Sequence, residues 1–222
     1  MHIPDGYLSP QTGGIFYLVM APLWFAASKI VKKTLKARQA PYLAFSASFV
    51  FIIMMFNIPI PGGSTGHAVG GTLVAVLLGP WAALIAITVA LFVQALLFGD
   101  GGITAIGANC FNMAFILPFV GYYTYKLMAI KSAKTSIRRP IAAAIGSYLG
   151  LVTAAFFTGL EFGVQPLFYH TPDGKALYCP YGLDVTIPAM LFMHVVLFAW
   201  LEAIMTFLVI RYMQKEDPSL IQ

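Results

Sequence analysis

"WAALIAITVALFVQALLF", Trp81–Phe98, runs for eighteen residues without a charge. A stretch of that length approaches the roughly 20 apolar residues needed to cross a hydrocarbon core of about 30 Å, so it reads as a membrane helix. Its unbroken apolarity also argues against the alternating strands of a membrane barrel. Comparable stretches fall at 15–31, 42–57, 67–79, 105–128, 140–162 and 185–211. With 81–98 they make seven candidate spans, of which 67–79 is the shortest and is rich in small residues. The composition agrees: 59% of residues are hydrophobic and 9% charged, and the mean hydropathy is +0.83. A soluble domain carries roughly a quarter charged residues. The expected fold is therefore an all-α membrane protein of about seven helices, with 1–222 as a single integral-membrane domain.

The net charge of +5 does not point to nucleic acid, because such binding needs clustered basic side chains with exposed aromatics. Here the basic residues sit between apolar runs: Lys29, Lys32, Lys33, Lys36 and Arg38; Lys126, Lys131, Lys134, Arg138 and Arg139; Arg211 and Lys215. Seven crossings put these groups on one side and leave only Lys175 of the 13 Lys and Arg residues on the other. The positive-inside rule then predicts a cytoplasmic C-terminus and an outer N-terminus, in the cytoplasmic membrane of a bacterium or archaeon.

The outer face receives Met1–Gly14, "NIPIPGGSTGH" (Asn57–His67), "GDGG" (Gly99–Gly102) and the loop 163–184. Gly- and Pro-rich backbone at membrane depth must pack on protein or line a polar cavity, which predicts a packed outer cap. Small residues four apart, Ala40, Ala44 and Ser48, and Gly146 and Gly150, predict close helix packing. Cys110 and Cys179 are too few for a disulfide framework and read as a buried thiol and a loop thiol.

The chain opens "MHIPDGYLSP". No basic n-region precedes the apolar run, so Met1 is expected to be the mature N-terminus, retained because the second residue is bulky. A free α-amine, the His2 amide nitrogen and the His2 imidazole can close two consecutive rings on one cation if the amide gives up its proton. An all-nitrogen planar set suits Ni(II) or Cu(II). Of the remaining histidines, at 67, 170 and 194, only His67 follows a glycine-rich outer loop able to meet the N-terminus. Alone it would read as a hydrogen-bonded structural residue; paired with His2 it reads as the fourth ligand. Asp5, in the turn signature "PDG", either accepts an imidazole N–H, as partners of histidine ligands do, or closes the local turn. Asp100 has the same two readings.

"MHIPDG", "GGSTGH", "LLGPWAA" (Leu77–Ala83) and "LFGDGGITAIGANCFNMA" (Leu97–Ala114) resemble the CbiM/NikM family, the substrate-binding membrane subunits of energy-coupling-factor cobalt and nickel transporters. The resemblance implies a seven-helix fold with an added N-terminal helix, and an ion held by the Met1 amine, the His2 amide and imidazole, and the His67 imidazole. It implies as partners a transmembrane coupling subunit, two ATPase subunits and a small accessory membrane subunit. Some nickel-type members carry the accessory part as a C-terminal extension, so a sequence ending at Gln222 is expected to meet it as a separate chain. The substrate ion is Ni(II) or Co(II), nickel favoured by planarity, with no cofactor of its own.

Other polar residues lie inside the apolar runs. Asn109, Asn112, Gln94, His194 and Glu202 are costly unless paired. Asn109 and Asn112, with Ser64, Asp5 and Asp100, are the expected supports of the ligands; Glu202 is expected to pair with Thr206 or across the bundle. An enzyme is not expected. "GxSxG" over Gly62–Gly66 lacks the strand, turn and helix of a nucleophile elbow, and neither "HExxH" nor "GxxxxGK[ST]" occurs. A self-sufficient channel or secondary transporter, or a binding subunit for an organic vitamin, is the rival, and the last leaves the amine and histidine pair without a purpose.

Overall fold

The computed structural model describes residues 1–35, 40–60 and 64–221. Each of the seven apolar stretches is helical along most of its length. Helix α1 (Pro10–Thr34) starts where Ser9, in extended backbone, accepts the Thr12 amide, with Pro10 fixing the first turn. It ends beside Lys32 and Lys33; Lys36 and Arg38 lie outside the described residues. Then come α2 (Ala40–Met55), α3 (Gly71–Leu78) and α4 (Pro80–Val93), the last continuing as a π-helical segment, Gln94–Phe98. Among the described residues four helical runs are long and apolar enough to cross a membrane: Pro10–Thr34, Pro80–Phe98, Arg138–Phe168 and Leu183–Glu216. Outward-facing Leu18, Phe25, Phe45, Leu127 and Leu208 give the molecule an apolar exterior, which is the arrangement lipid stabilises.

The fifth stretch is broken. A short α5 (Ile106–Asn109) passes through a π segment, Cys110–Ile116, into α6 (Leu117–Met128). Next are α7 (Arg138–Gly163), the single turn α8 (Gln165–Phe168) and α9 (Leu183–Met193), which runs through a third π segment, His194–Phe198, into α10 (Ala199–Glu216). π-Bulges are frequent at functional sites, and in all three segments a polar residue opens or lies next to the bulge.

The centre is α7 packed on α6, α9 and α10. Gly146 and Gly150 press on α6 as expected, the Cα of Gly150 lying so close that a methyl there would be 2.5 Å from the Leu117 carbonyl. Ala40, Ala44 and Ser48 do not pack internally: they lie on the exposed face of α2, and Ser48 bonds the Ala44 carbonyl of its own helix. Helix α1 reaches the bundle through Gly107 of α5, where a Cβ would stand 2.7 Å from the Tyr17 amide.

One departure from an all-α chain is a two-stranded antiparallel ribbon, β1 (Ile58–Ile60) and β2 (Ser64–Gly66), in register Ile58 with Gly66. The apolar run cannot announce it, because three residues per strand are too few to show a period of two. Gly62 and Gly63 of the "GxSxG" match, and the Ser64 side chain proposed as a ligand support, lie outside the described residues.

Candidate metal centre

The first nine residues are tied down on several sides. Ile3 is fully buried and Leu8 nearly so, in a small cluster with Ala105 and Ala108; burial of each such side chain stabilises by about 1.5–3 kcal/mol. Asn109 brackets Ile3, its Oδ1 accepting the Ile3 amide at 2.8 Å and its Nδ2 donating to the Ile3 carbonyl at 3.1 Å. Gly102 N–H donates to the same carbonyl, and Cys179 N–H to the Tyr7 carbonyl. The Ser9 amide donates to Gln165 Oε1. Gly101, with φ of +89°, lies 3.2 Å from the His2 ring when given a Cβ, so the "GDGG" loop wraps closely over the histidine.

This anchoring delivers His2 to His67. His2 Nδ1 and His67 Nε2 are 2.9 Å apart. Their outer nitrogens are both engaged: His2 Nε2 faces Gln94 Oε1 at 3.2 Å and His67 Nδ1 faces the Ala68 carbonyl at 3.0 Å. Oxygens of this kind only accept, so each ring keeps its proton on the outer nitrogen. The two inner nitrogens then present lone pairs to each other, an arrangement that a cation between them relieves. Neither the Met1 amine nor the His2 amide finds a hydrogen-bond partner among the described residues.

With M–N bonds of roughly 2.0–2.1 Å, adjacent corners of a square are about 2.9 Å apart and those of a tetrahedron about 3.3 Å, so the 2.9 Å between the two inner nitrogens has room for adjacent corners of a square. Among the described residues no three His, Cys, Asp or Glu side chains converge.

The electrostatics favour a neutral donor set. Burial, partly offset by Asp100, lowers the Met1 amine to about 6. Burial, with the amine's charge, takes His2 down to about 3, and the same two causes lead for His67, which lies well below its ordinary value. At neutral pH three nitrogens therefore carry lone pairs. Asp100 Oδ1 lies 3.7 Å from His2 Nδ1, and its Oδ2 is buried with no hydrogen-bond partner. The donors open onto a cavity of about 630 Å³ that Met1, His2, His67 and Asp100 share with Met190 and His194.

The remaining sequence candidates divide. Asp5 does not reach an imidazole; it accepts from the Ile103 and Thr104 amides and the Thr104 hydroxyl, closing the N-terminal segment onto the outer loop. Gln94, whose place in an apolar run signalled only helix pairing, is the residue that receives His2. Asn112 is turned away and donates to Glu161 Oε2 at 2.8 Å. Glu202 does not pair with Thr206; its carboxyl oxygens accept the Val69 amide at 2.7 Å and the Gly70 amide at 2.9 Å. It thereby caps α3 and holds the turn that follows His67. Cys110 and Cys179 are both free and buried.

Known proteins carry the same architecture. A solved transition metal transporter superposes with a TM-score of 0.92 at 53% identity, covering 98% of this chain and 94% of its own; a truncated transition metal transporter gives 0.91 at 52%, covering 97% and 99%. A probable fused nickel transport protein, LarMN of Lactiplantibacillus plantarum, is 52% identical over 99% of this chain, which spans 66% of that relative's length. The fused nickel transport protein NikMN of Rhodobacter capsulatus is 48% identical, with 64% of its length spanned. A putative metal transport protein of Methanocaldococcus jannaschii, MJ1569, is 48% identical over 99% of this chain and 94% of its own length. The model of the cobalt uptake substrate-specific transmembrane region matches residues 2–220, and with that match over nearly its whole length the chain belongs to the CbiM family.

Proposed function

We propose that this chain is the substrate-capture subunit of a nickel or cobalt uptake system, holding one divalent ion through the Met1 amine, the His2 amide and Nδ1, and His67 Nε2. The observation that carries the reading is the 2.9 Å approach of the two inner imidazole nitrogens with both outer nitrogens committed elsewhere. A planar four-nitrogen set favours Ni(II) over Co(II); Cu(II) has higher intrinsic affinity for such ligands, so availability contributes to selectivity. The charges support it as well. A divalent ion with one deprotonated amide is a +1 complex, and Asp100 beside it brings the cluster to neutrality, as a site of low dielectric requires.

The site gathers where α1 begins, α4 ends and α7 ends, while Lys126, Arg138, Arg139 and Lys215 lie at the other helix ends. This supports seven crossings with capture from outside and a cytoplasmic C-terminus. No ATP-binding loop is present in the sequence, so the energy for release comes from partners: two ATPase subunits, a transmembrane coupling subunit and a small accessory membrane subunit.

The test is titration of the purified chain, with native Met1, by Ni(II), Co(II), Cu(II) and Zn(II), beside a variant with one residue added before Met1. Tight Ni(II) or Co(II) binding should fall by roughly a hundredfold or more in the extended chain, since even outer partners of metal ligands are worth 10–100-fold. Undiminished binding after the extension, or metal flux from this chain alone in liposomes, would overturn the reading.

A further inference from the structure

The third π segment opens at His194, and this residue has no role in the four-nitrogen site. Its Nδ1 is held by the Met190 carbonyl at 2.7 Å. The proton is therefore on Nδ1, and Nε2 is a lone pair with no hydrogen-bond partner among the described residues. The side chain is more than nine-tenths buried, with 6% of its surface exposed, yet it lines the cavity onto which Met1, His2 and His67 open. The first two π segments already serve that site, one through Gln94 on His2 and the other, at its edge, through Asn109 on Ile3. The third contributes a nitrogen donor facing the same space. Its helix is also locked to the His67 segment, because the Phe198 ring fills the position a Cβ of Gly66 would occupy.

A hydrated divalent ion has to lose its waters to enter a square whose members are buried and whose amide still carries a proton. The geometry points to His194 as a loading ligand: its Nε2 takes one coordination position of hydrated Ni(II) or Co(II) in the cavity and passes the ion to the four nitrogens. The step is a ligand exchange. The Nε2 lone pair replaces one water, the His194–metal bond breaks as the chelate closes, the His2 amide proton leaves to water, and no electrons are transferred. One imidazole binds these ions far more weakly than a four-nitrogen chelate, so the transfer runs downhill. Met190 and Met193 also line the cavity, and thioethers are soft donors that compete poorly for such ions.

This inference rests on the four-nitrogen reading, and one experiment separates the two. Stopped-flow mixing of NiSO₄ or CoCl₂ with the full chain bearing native Met1 is compared with His194→Ala and His194→Gln, alongside equilibrium affinity, the metal's absorption spectrum and Tm. A loading ligand speeds capture and release alike. In both variants the association and dissociation rate constants should therefore fall on the order of tenfold together, with Kd and spectrum unchanged. Millimolar free imidazole should restore the rates of His194→Ala. Unchanged rates would overturn the proposal, as would an altered Kd or spectrum, which marks a permanent ligand. Slower rates that track a lowered Tm and resist imidazole mark a structural residue and overturn it too. If the unaltered chain binds no metal tightly, the chelate falls and this proposal with it; if it binds and the variants behave as it does, only this proposal falls.

Discussion

Glu202, in the first turn of α10, accepts the amides of Val69 and Gly70, two and three residues beyond His67. The helix most distant in sequence from the N-terminus thereby sets the backbone that carries one ligand. The proposed ion site is thus tied to the last helix.

Replacing Glu202 by Ala should release those amides. Hydrogen bonds to charged groups contribute about 1.5–3 kcal/mol each, so both Tm and Ni(II) affinity should drop, while Glu202→Gln should retain part of each. Thermal unfolding and titration of the two variants check this. If Ala leaves affinity intact, the clamp does not position His67.

Gln94→Ala should leave the fold in place and weaken Ni(II) binding by about 10–100-fold, because His2 loses the acceptor that fixes its tautomer and ring orientation. Isothermal titration gives the answer. Equal affinity would mean that Gln94 only joins helices.

The proton count of binding follows from the lowered basicities. The amine sits at about 6 and His2 at about 3 in the free protein, so at pH 7.5 neither needs to lose a proton to bind. Only the His2 amide does, and titration in buffers of different ionisation enthalpy should show one proton released per ion. Below about pH 6 the amine is protonated in the free protein and the count should approach two, so affinity falls more steeply with acid there. The sign is that of protons competing with the ion. A count of zero at pH 7.5 would exclude amide ligation.

Gly107→Ala should push α1 away from α5, where backbone meets backbone at 2.7 Å from the added carbon. Overpacking of this kind costs about 1–3 kcal/mol. Because α1 is the continuation of the N-terminal segment, metal affinity should fall together with Tm; a fall in Tm alone would show that the first nine residues hold their place independently of α1.

Much of this was legible in the sequence. Apolar length specifies a membrane helix wherever it occurs, since hydrocarbon leaves the backbone no other way to satisfy its hydrogen bonds. The run Trp81–Phe98 therefore appears as one continuous helical stretch. The pairing of His2 with His67 was legible for a different reason: the chemistry of an N-terminal chelate asks for a fourth nitrogen, and the chain offers few. Local signals did not reach the assignment of polar partners. The acceptor facing His2 is Gln94 rather than Asp5, because which oxygen faces an imidazole depends on how α4 and the 99–102 loop meet, not on the neighbours of either residue. Glu202 likewise found its donors 133 residues away, at the Val69 amide.

The sequence by itself determined the helices and the apolar exterior and pointed to the proposed donor atoms, because each follows from local composition or from the chemistry of a few residues. Tertiary structure alone decided the 2.9 Å approach of His2 to His67, the bonds that orient both rings, and the cavity shared with His194. Those depend on long-range packing, in which Gly101 lets the 99–102 loop close over the His2 ring and Gly107 lets α5 meet the backbone of α1, contacts that no spacing along the chain announces.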